Sequence, residues 1–354
     1  MTNNCEKIRP YNDMWLDCVS NNLVAMLINE NESYADLSCY MDSMYLKKVY
    51  QQSYSSEDIQ GELLAEGLYY PKIEYSLELL GELIDTREEE FDSLDDDVHG
   101  CIKSALGEDC FVFVSVDRYF YPSGLNANKS HLYHPTFIYG YDYENQCYKA
   151  LEDCMVMGRI DYFRIPYGSI DASCKFLLNE GKKIRLGICK VKDTAKEFTQ
   201  RLQLPKLAES LERHLAGGQV YNKEYDLFYD SGMDALLTYT KEFNYLFSNL
   251  KVGHLFSNRA LSYCQVHMRN QKIAQIIQES YCLDMAQIKH GYSALYEMWR
   301  LFKNKSYYLL EKQKKAPGLK HSDYLELNSL LMEITERERD TADLLLQVCR
   351  SVGG

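Results

Sequence analysis

No run in this 354-residue chain approaches the ~18 consecutive apolar residues that a membrane-spanning helix needs. The stretch from Met1 to Pro10 is polar and lacks the apolar core of a secretory signal, so a cytoplasmic location without a membrane partner is expected. The twelve cysteines contain no Cys-x-x-Cys pair and no even framework in a short secreted chain, which argues against disulfides and against a structural zinc site. No repeat of 20–50 residues is evident, which disfavours a solenoid. Carboxylates crowd Asp85 to Asp97 without a histidine or a glycine-turned loop, so that run reads as a solvated helix start rather than a metal site.

What is present describes an ordinary globular protein, 46% apolar and 26% charged, long enough for two domains. The net charge of −13 is unevenly spread. Residues 1–193 hold 18 Lys and Arg against 33 Asp and Glu, whereas the remainder is close to neutral. Phosphates would be repelled by the first part, which argues against nucleic acid there and suits a cationic substrate such as an amine; plain solubility is the alternative.

Along the chain, Glu57 to Ala65 and Tyr75 to Ile84 read as helices, and Ser93 reads as the start of another that Gly107 stops. The pattern then turns to strands at Phe111 to Val116, Thr136 to Tyr139, Cys147 to Leu151 and Ile184 to Cys189, with a hairpin turn over Asp142 to Gln146. Beyond Thr194 strand signals nearly vanish. Leu204 to Ala216, Met233 to Leu250, Leu255 to Tyr281, Met285 to Lys314 and Tyr324 to Cys349 read as helices, with breaks at Gly253, Ala316-Pro317-Gly318 and Gly353-Gly354. The expectation is an α+β catalytic domain over 1–193 followed by a helical bundle over 194–354.

The chemistry centres on Asp17-Cys18, which opens an apolar, helix-periodic segment carrying Leu23, Met26 and Leu27. With Asp17 as N-cap, Cys18 sits among free backbone N–H groups that favour thiolate and lower its pKa. A buried cysteine that only packs is the alternative. A nucleophilic cysteine needs a base and a group to orient that base. His131 and His134 precede the strand at Thr136, and Asp153 follows the strand ending at Leu151. Antiparallel pairing sets a strand start beside its partner's end, so a His134–Asp153 hydrogen bond is expected.

These residues resemble papain-like cysteine enzymes, in which a cysteine opens a long helix and a histidine begins a strand that runs into Gly-aromatic. His134-Pro135-Thr136-Phe137-Ile138-Tyr139-Gly140-Tyr141 fits that spacing and His131 does not. Papain-like enzymes place a side-chain amide six residues before the cysteine; the resemblance makes Asn12 that oxyanion donor, beside the Cys18 backbone N–H, and makes Asp153 the third triad member. Asp17-Cys18, Asp117-Arg118-Tyr119-Phe120-Tyr121-Pro122, His131-Leu132-Tyr133-His134, Gly140-Tyr141-Asp142 and Asp153 are together similar to the butirosin side-chain acyltransferase family. The likeness covers about residues 10 to 190.

The resemblance implies a Cys18 acyl-enzyme that takes its acyl group from a carrier-protein phosphopantetheine thioester and passes it to a primary amine or diamine. It implies no bound cofactor and no metal, phosphopantetheine arriving on the acyl or peptidyl carrier protein. An acidic carrier calls for a basic docking surface, for which Lys303, Lys305, Lys312, Lys314, Lys315 and Lys320 are the candidates, the solvated face of a helix being the alternative. The rivals are a cysteine peptidase of the bacteriocin-processing type, which would use the same triad, and a non-catalytic papain-like scaffold. No transporter segment or pro-region is seen, which ranks the peptidase second.

Overall fold

The computed structural model describes residues 8–48, 72–93, 96–223, 227–243, 247, 250–315 and 321–353. In chain order they form α1 (Cys18–Glu30), β1 (Ser43–Lys48), β2 (Lys72–Tyr75), α2 (Glu78–Leu83), β3 (Ile84–Phe91), α3 (Val98–Gly107), β4 (Phe111–Asp117), β5 (Tyr133–Asp142), β6 (Cys147–Glu152), β7 (Asp161–Pro166), α4 (Tyr167–Asn179) and β8 (Ile184–Val191). Then follow α5 (Leu204–Ala216), β9 (Gln219–Asn222), β10 (Leu227–Ser231), α6 (Gly232–Lys241), α7 (Leu250–Tyr281), α8 (Ala286–Lys315) and α9 (His321–Gly353). The fold is α+β, with two antiparallel sheets and a helical C-terminal region. Among the described residues no helix is long and apolar enough to cross a membrane.

Residues group into two compact units, Met1–Leu37 with Leu77–Gln200, and Ser38–Ser76 with Arg201–Gly354. Described residues 38–48 and 72–76 therefore group with the second unit rather than with the rest of the first 193 residues. The reason is a long-range pairing: β1 bonds to β10, with Leu46 opposite Ser231, and local sequence carries no sign of that partner.

In the first unit six strands run in the order β3-β8-β4-β5-β6-β7. Alternation sends Val112, Val114 and Val116 of β4 to one face, where they pack with Ile102 and Ala105 of α3, Ile170 and Cys174 of α4, and Leu186 and Ile188 of β8. The four strands read from β-branched and aromatic runs are β4, β5, β6 and β8. The acidic stretch differs from expectation. Ile84–Phe91 is an edge strand paired along its length with β8, and the helix starts at Val98, five residues after the start expected at Ser93, where Asp97 accepts from Gly100 N at 2.7 Å. Charged side chains suit an edge strand because they discourage further pairing, and Glu90 meets Arg185 of β8 and Lys183 just before it. The expected helix at Tyr75 to Ile84 shrinks to α2, and the one at Glu57 to Ala65 lies outside the described residues.

The second unit has a four-stranded sheet, β2-β1-β10-β9, with the long helices. Strands thus persist past Thr194. Buried Arg269 of α7 donates to Ser38 O at 2.7 Å and to Met41 O, tying the 38–43 segment to the helices. Trp299 stacks on Tyr263 at 4.3 Å in the core. Gly253 does not break a helix; it lies inside α7, where a Cβ would meet Leu310 Cδ2 at 2.7 Å, so its bare backbone lets α8 approach. The stop after Ala216 is as expected, and Gly217 takes φ +66° there. The break expected at 316–318 lies outside the described residues.

Candidate active site

The start of α1 is fixed by short-range polar contacts. Asp17 Oδ1 accepts from Val19 N and Ser20 N, each at 2.8 Å, and its Oδ2 accepts from Ser20 Oγ at 2.6 Å. Fully buried Asn21 ties the incoming turn to the helix: its amide donates to Tyr11 O at 3.0 Å and Met14 O at 2.8 Å, and its Oδ1 accepts from Leu16 N at 2.8 Å. The first helical residue, Cys18, is thereby held at one position on the unit's surface, half-buried.

Its partner comes from β5. His134 lies opposite Val116 of β4, and its Nε2 is 3.0 Å from Cys18 Sγ. The structure therefore joins two residues 116 positions apart that the spacing singled out. His131 lies elsewhere. Its Nδ1 contacts Asp117 Oδ2 at 2.7 Å, and its ring is stacked between Tyr119 and Phe176.

Two expected contacts are replaced by others. Asp153 does not bond to His134; Arg118, the residue after β4, stands between them. Arg118 Nη2 is 3.2 Å from His134 Nε2, 2.5 Å from Asp153 Oδ1, and bonded to Glu152 Oε2. The strand-end argument did bring the carboxylate close, but a cation reaching across from β4 is the stronger partner for it. Asn12 is likewise engaged elsewhere: its Nδ2 donates to Ile160 O at 2.9 Å and its Oδ1 accepts from Ile160 N at 2.8 Å. Both ends of the amide bond the backbone that leads into β7, so Asn12 staples a loop.

Arg118, Glu152 and Asp153 are 5%, 3% and 7% exposed, so protein contacts replace their water. Glu152 Oε1 accepts from Tyr121 OH at 2.7 Å and from Thr136 Oγ1 at 2.6 Å, and Asp153 Oδ2 accepts a longer bond, 3.4 Å, from Gly158 N. Burial raises the Glu152 pKa, with Arg118 and these hydrogen bonds opposing. Burial also works against the Arg118 cation, yet the two carboxylates more than offset it and hold its pKa above the ordinary value. Removing one member would strand its partners, at about 3–5 kcal/mol for a buried ion pair.

The helix-start argument predicts an acidified thiol, and here the balance falls the other way. Burial, then the carboxylates of Asp17 and Asp153, push the Cys18 thiol up to about 12, with Arg118 opposing. Burial, then the Arg118 cation, push His134 down to about 4. Both shifts favour an uncharged thiol beside an uncharged imidazole at neutral pH. Such a pair acts by moving the proton as the sulfur attacks, with the imidazole as general base.

Arg118, Glu152, Tyr121 and Thr136 were not singled out by role. The available signal was the stretch Asp117 to Pro122 together with Glu152-Asp153, two adjacent carboxylates that end a β-rich run. Of the lysines proposed for carrier docking, Lys303, Lys305, Lys312, Lys314 and Lys315 lie on α8, where Lys305 pairs with Glu326; Lys320 lies outside the described residues. Among the described residues no group of three or more His, Cys, Asp or Glu is arranged to hold a metal ion. Compared with protein-family models and with curated proteins, the sequence matches none of either.

Proposed function

We propose that this protein is a cysteine-dependent amide synthase. It moves an acyl group from the phosphopantetheine thioester of an acyl or peptidyl carrier protein, through Cys18, to a primary amine or diamine. The observation that carries the reading is the 3.0 Å approach of His134 Nε2 to a sulfur that opens a helix. A helix-start cysteine facing a strand-start histidine supports a papain-like arrangement of the first unit. The motif order resembling the butirosin side-chain acyltransferase family adds the thioester donor and the amine acceptor.

Cys18 Sγ attacks the thioester carbonyl carbon while His134 Nε2 takes the thiol proton. The carbon–sulfur bond to pantetheine breaks, the proton leaves with the pantetheine thiol, and the acyl group remains as a thioester on Cys18. An amine nitrogen then attacks the same carbon and gives a proton to His134, and Sγ departs and takes that proton back. The developing oxyanion is met by the Cys18 backbone N–H at the positive end of α1. Asp153 acts on His134 through Arg118. The thioester is already activated, so the scheme uses no bound cofactor. A cytoplasmic protein would meet carrier-bound thioesters directly.

The test is incubation with acyl-carrier thioesters, followed by mass spectrometry of the Cys18 peptide. The proposal expects an acyl adduct that Cys18→Ala abolishes. Cleavage of a peptide substrate with no adduct from any carrier would favour the peptidase. Amide formation undiminished in Cys18→Ala would make the first unit a scaffold.

A further inference from the structure

Among the described residues, the charged groups that act on the Cys18–His134 pair are Asp17 at the start of α1, Arg118 after β4, and Glu152 and Asp153 at the end of β6. Arg118 is the only cation among them. Its Nη2 points at the same imidazole nitrogen that faces the sulfur, 3.2 Å from Nε2, which is itself 3.0 Å from Sγ. A cation there opposes protonation of that nitrogen.

The guanidinium is not free to turn aside. Glu152 and Asp153 hold the same Nη2, and Glu152 is anchored in turn by Tyr121 and Thr136. The carboxylate that would stabilise an imidazolium is thereby kept on Arg118 and away from His134. We infer that Arg118 is a positioning residue, clamped by Glu152 and Asp153, that keeps the resting Cys18–His134 pair uncharged and the sulfur unreactive until a thioester is seated against it.

The inference rests on Cys18 being the nucleophile of the proposed reaction, but it is tested without that reaction. Deleting Arg118 alone would strand two buried carboxylates, so the charge-balanced variant Arg118→Met/Glu152→Gln is the useful one. It leaves Asp153 free for His134. Peptide-resolved alkylation of Cys18 by iodoacetamide, followed from pH 5 to 9, should show at least a tenfold faster rate at pH 6 than wild type. Arg118→Lys, which retains a cation at the clamp, should stay within about threefold of wild type. A folded double variant with an unshifted profile would overturn the inference, as would Arg118→Lys shifting as far as the double variant.

Should the double variant fail to fold, the wild-type protein decides. Nitrogen-15 NMR of the histidines should place the His134 midpoint below pH 5, and a midpoint at or above 6.5 would overturn the inference. A shifted alkylation profile without any acyl adduct would leave Arg118 in this role and remove the acyl-transfer reading instead.

Discussion

Asp17 does two opposite things to Cys18, and a single substitution separates them. As N-cap it holds Val19 N and Ser20 N and so fixes the sulfur's position; as an anion next in sequence it disfavours the thiolate. Asp17→Asn keeps a side-chain oxygen that caps nearly as well and removes the charge. A unit charge at ~5–6 Å in an effective dielectric of ~20–40 is worth roughly 1–3 kcal/mol, so the thiolate fraction at fixed pH rises roughly ten- to a hundredfold. A less basic thiolate is a weaker nucleophile, with a Brønsted slope near ~0.5, so the alkylation rate rises by about three- to tenfold. Urea unfolding of Asp17→Asn should fall within about 0.5 kcal/mol of wild type, and Asp17→Ala should lose about 1 kcal/mol while gaining the same reactivity. The assay is iodoacetamide labelling of Cys18 at pH 7.5, resolved by peptide mass. If Asp17→Asn is folded and labels no faster than wild type, burial alone sets the thiol, and the account of its neighbours is wrong.

Three further outcomes are expected. His134 is held neutral down to about pH 4, whereas an unfolded histidine protonates near ~6.5. Between those values the unfolded chain binds more protons, so this group makes stability rise with pH and fall on acidification, by at most about 3 kcal/mol across the window. His134→Gln should therefore flatten the slope of unfolding free energy between pH 6.5 and 4, and an unchanged slope would contradict the assignment. Asn12→Ala, which loses both bonds to Ile160, should cost about 1–2 kcal/mol in urea unfolding yet leave the Cys18 labelling rate within about twofold; a large loss of labelling at intact stability would return Asn12 to the chemistry. In the second unit Gly291→Ala puts a methyl against Thr341 Oγ1 at 2.7 Å and Cγ2 at 2.8 Å, and should destabilise by about 1–3 kcal/mol in thermal unfolding. A Tm equal to wild type would show that α8 and α9 part without cost.

How much of this was readable in the residues depended on whether the signal was local. The helix at Leu204–Ala216 was read to the residue, because Pro205 near its start and Gly217-Gly218 at its end are local signs. The buried strands announced themselves as β-branched and aromatic runs. β3 hid because an edge strand carries charges, and Ile84-Asp-Thr-Arg-Glu-Glu-Glu-Phe91 has no alternating apolar face. β1 hid because its pairing with β10 joins residues more than 180 positions apart. At the site, spacing found Cys18 and His134, and hairpin logic brought Asp153 near. What spacing could not show was the side chain that fills the gap: Arg118 reaches His134 from just past the end of β4, and the β4–β5 register, Val116 opposite His134, brings it there.

The central claim is that the 3.0 Å sulfur–imidazole pair performs acyl transfer to an amine. The most direct measurement is a two-step single turnover: load the protein with an acyl-carrier thioester, remove the carrier, then add a primary diamine and follow the intact mass and the small-molecule product. The account predicts one acyl group on Cys18, absent in Cys18→Ala and slow to form in His134→Gln, which disappears on amine addition as the corresponding amide appears. An acyl group that never loads on Cys18, or one that leaves only as the free acid in the presence of the diamine, would contradict it.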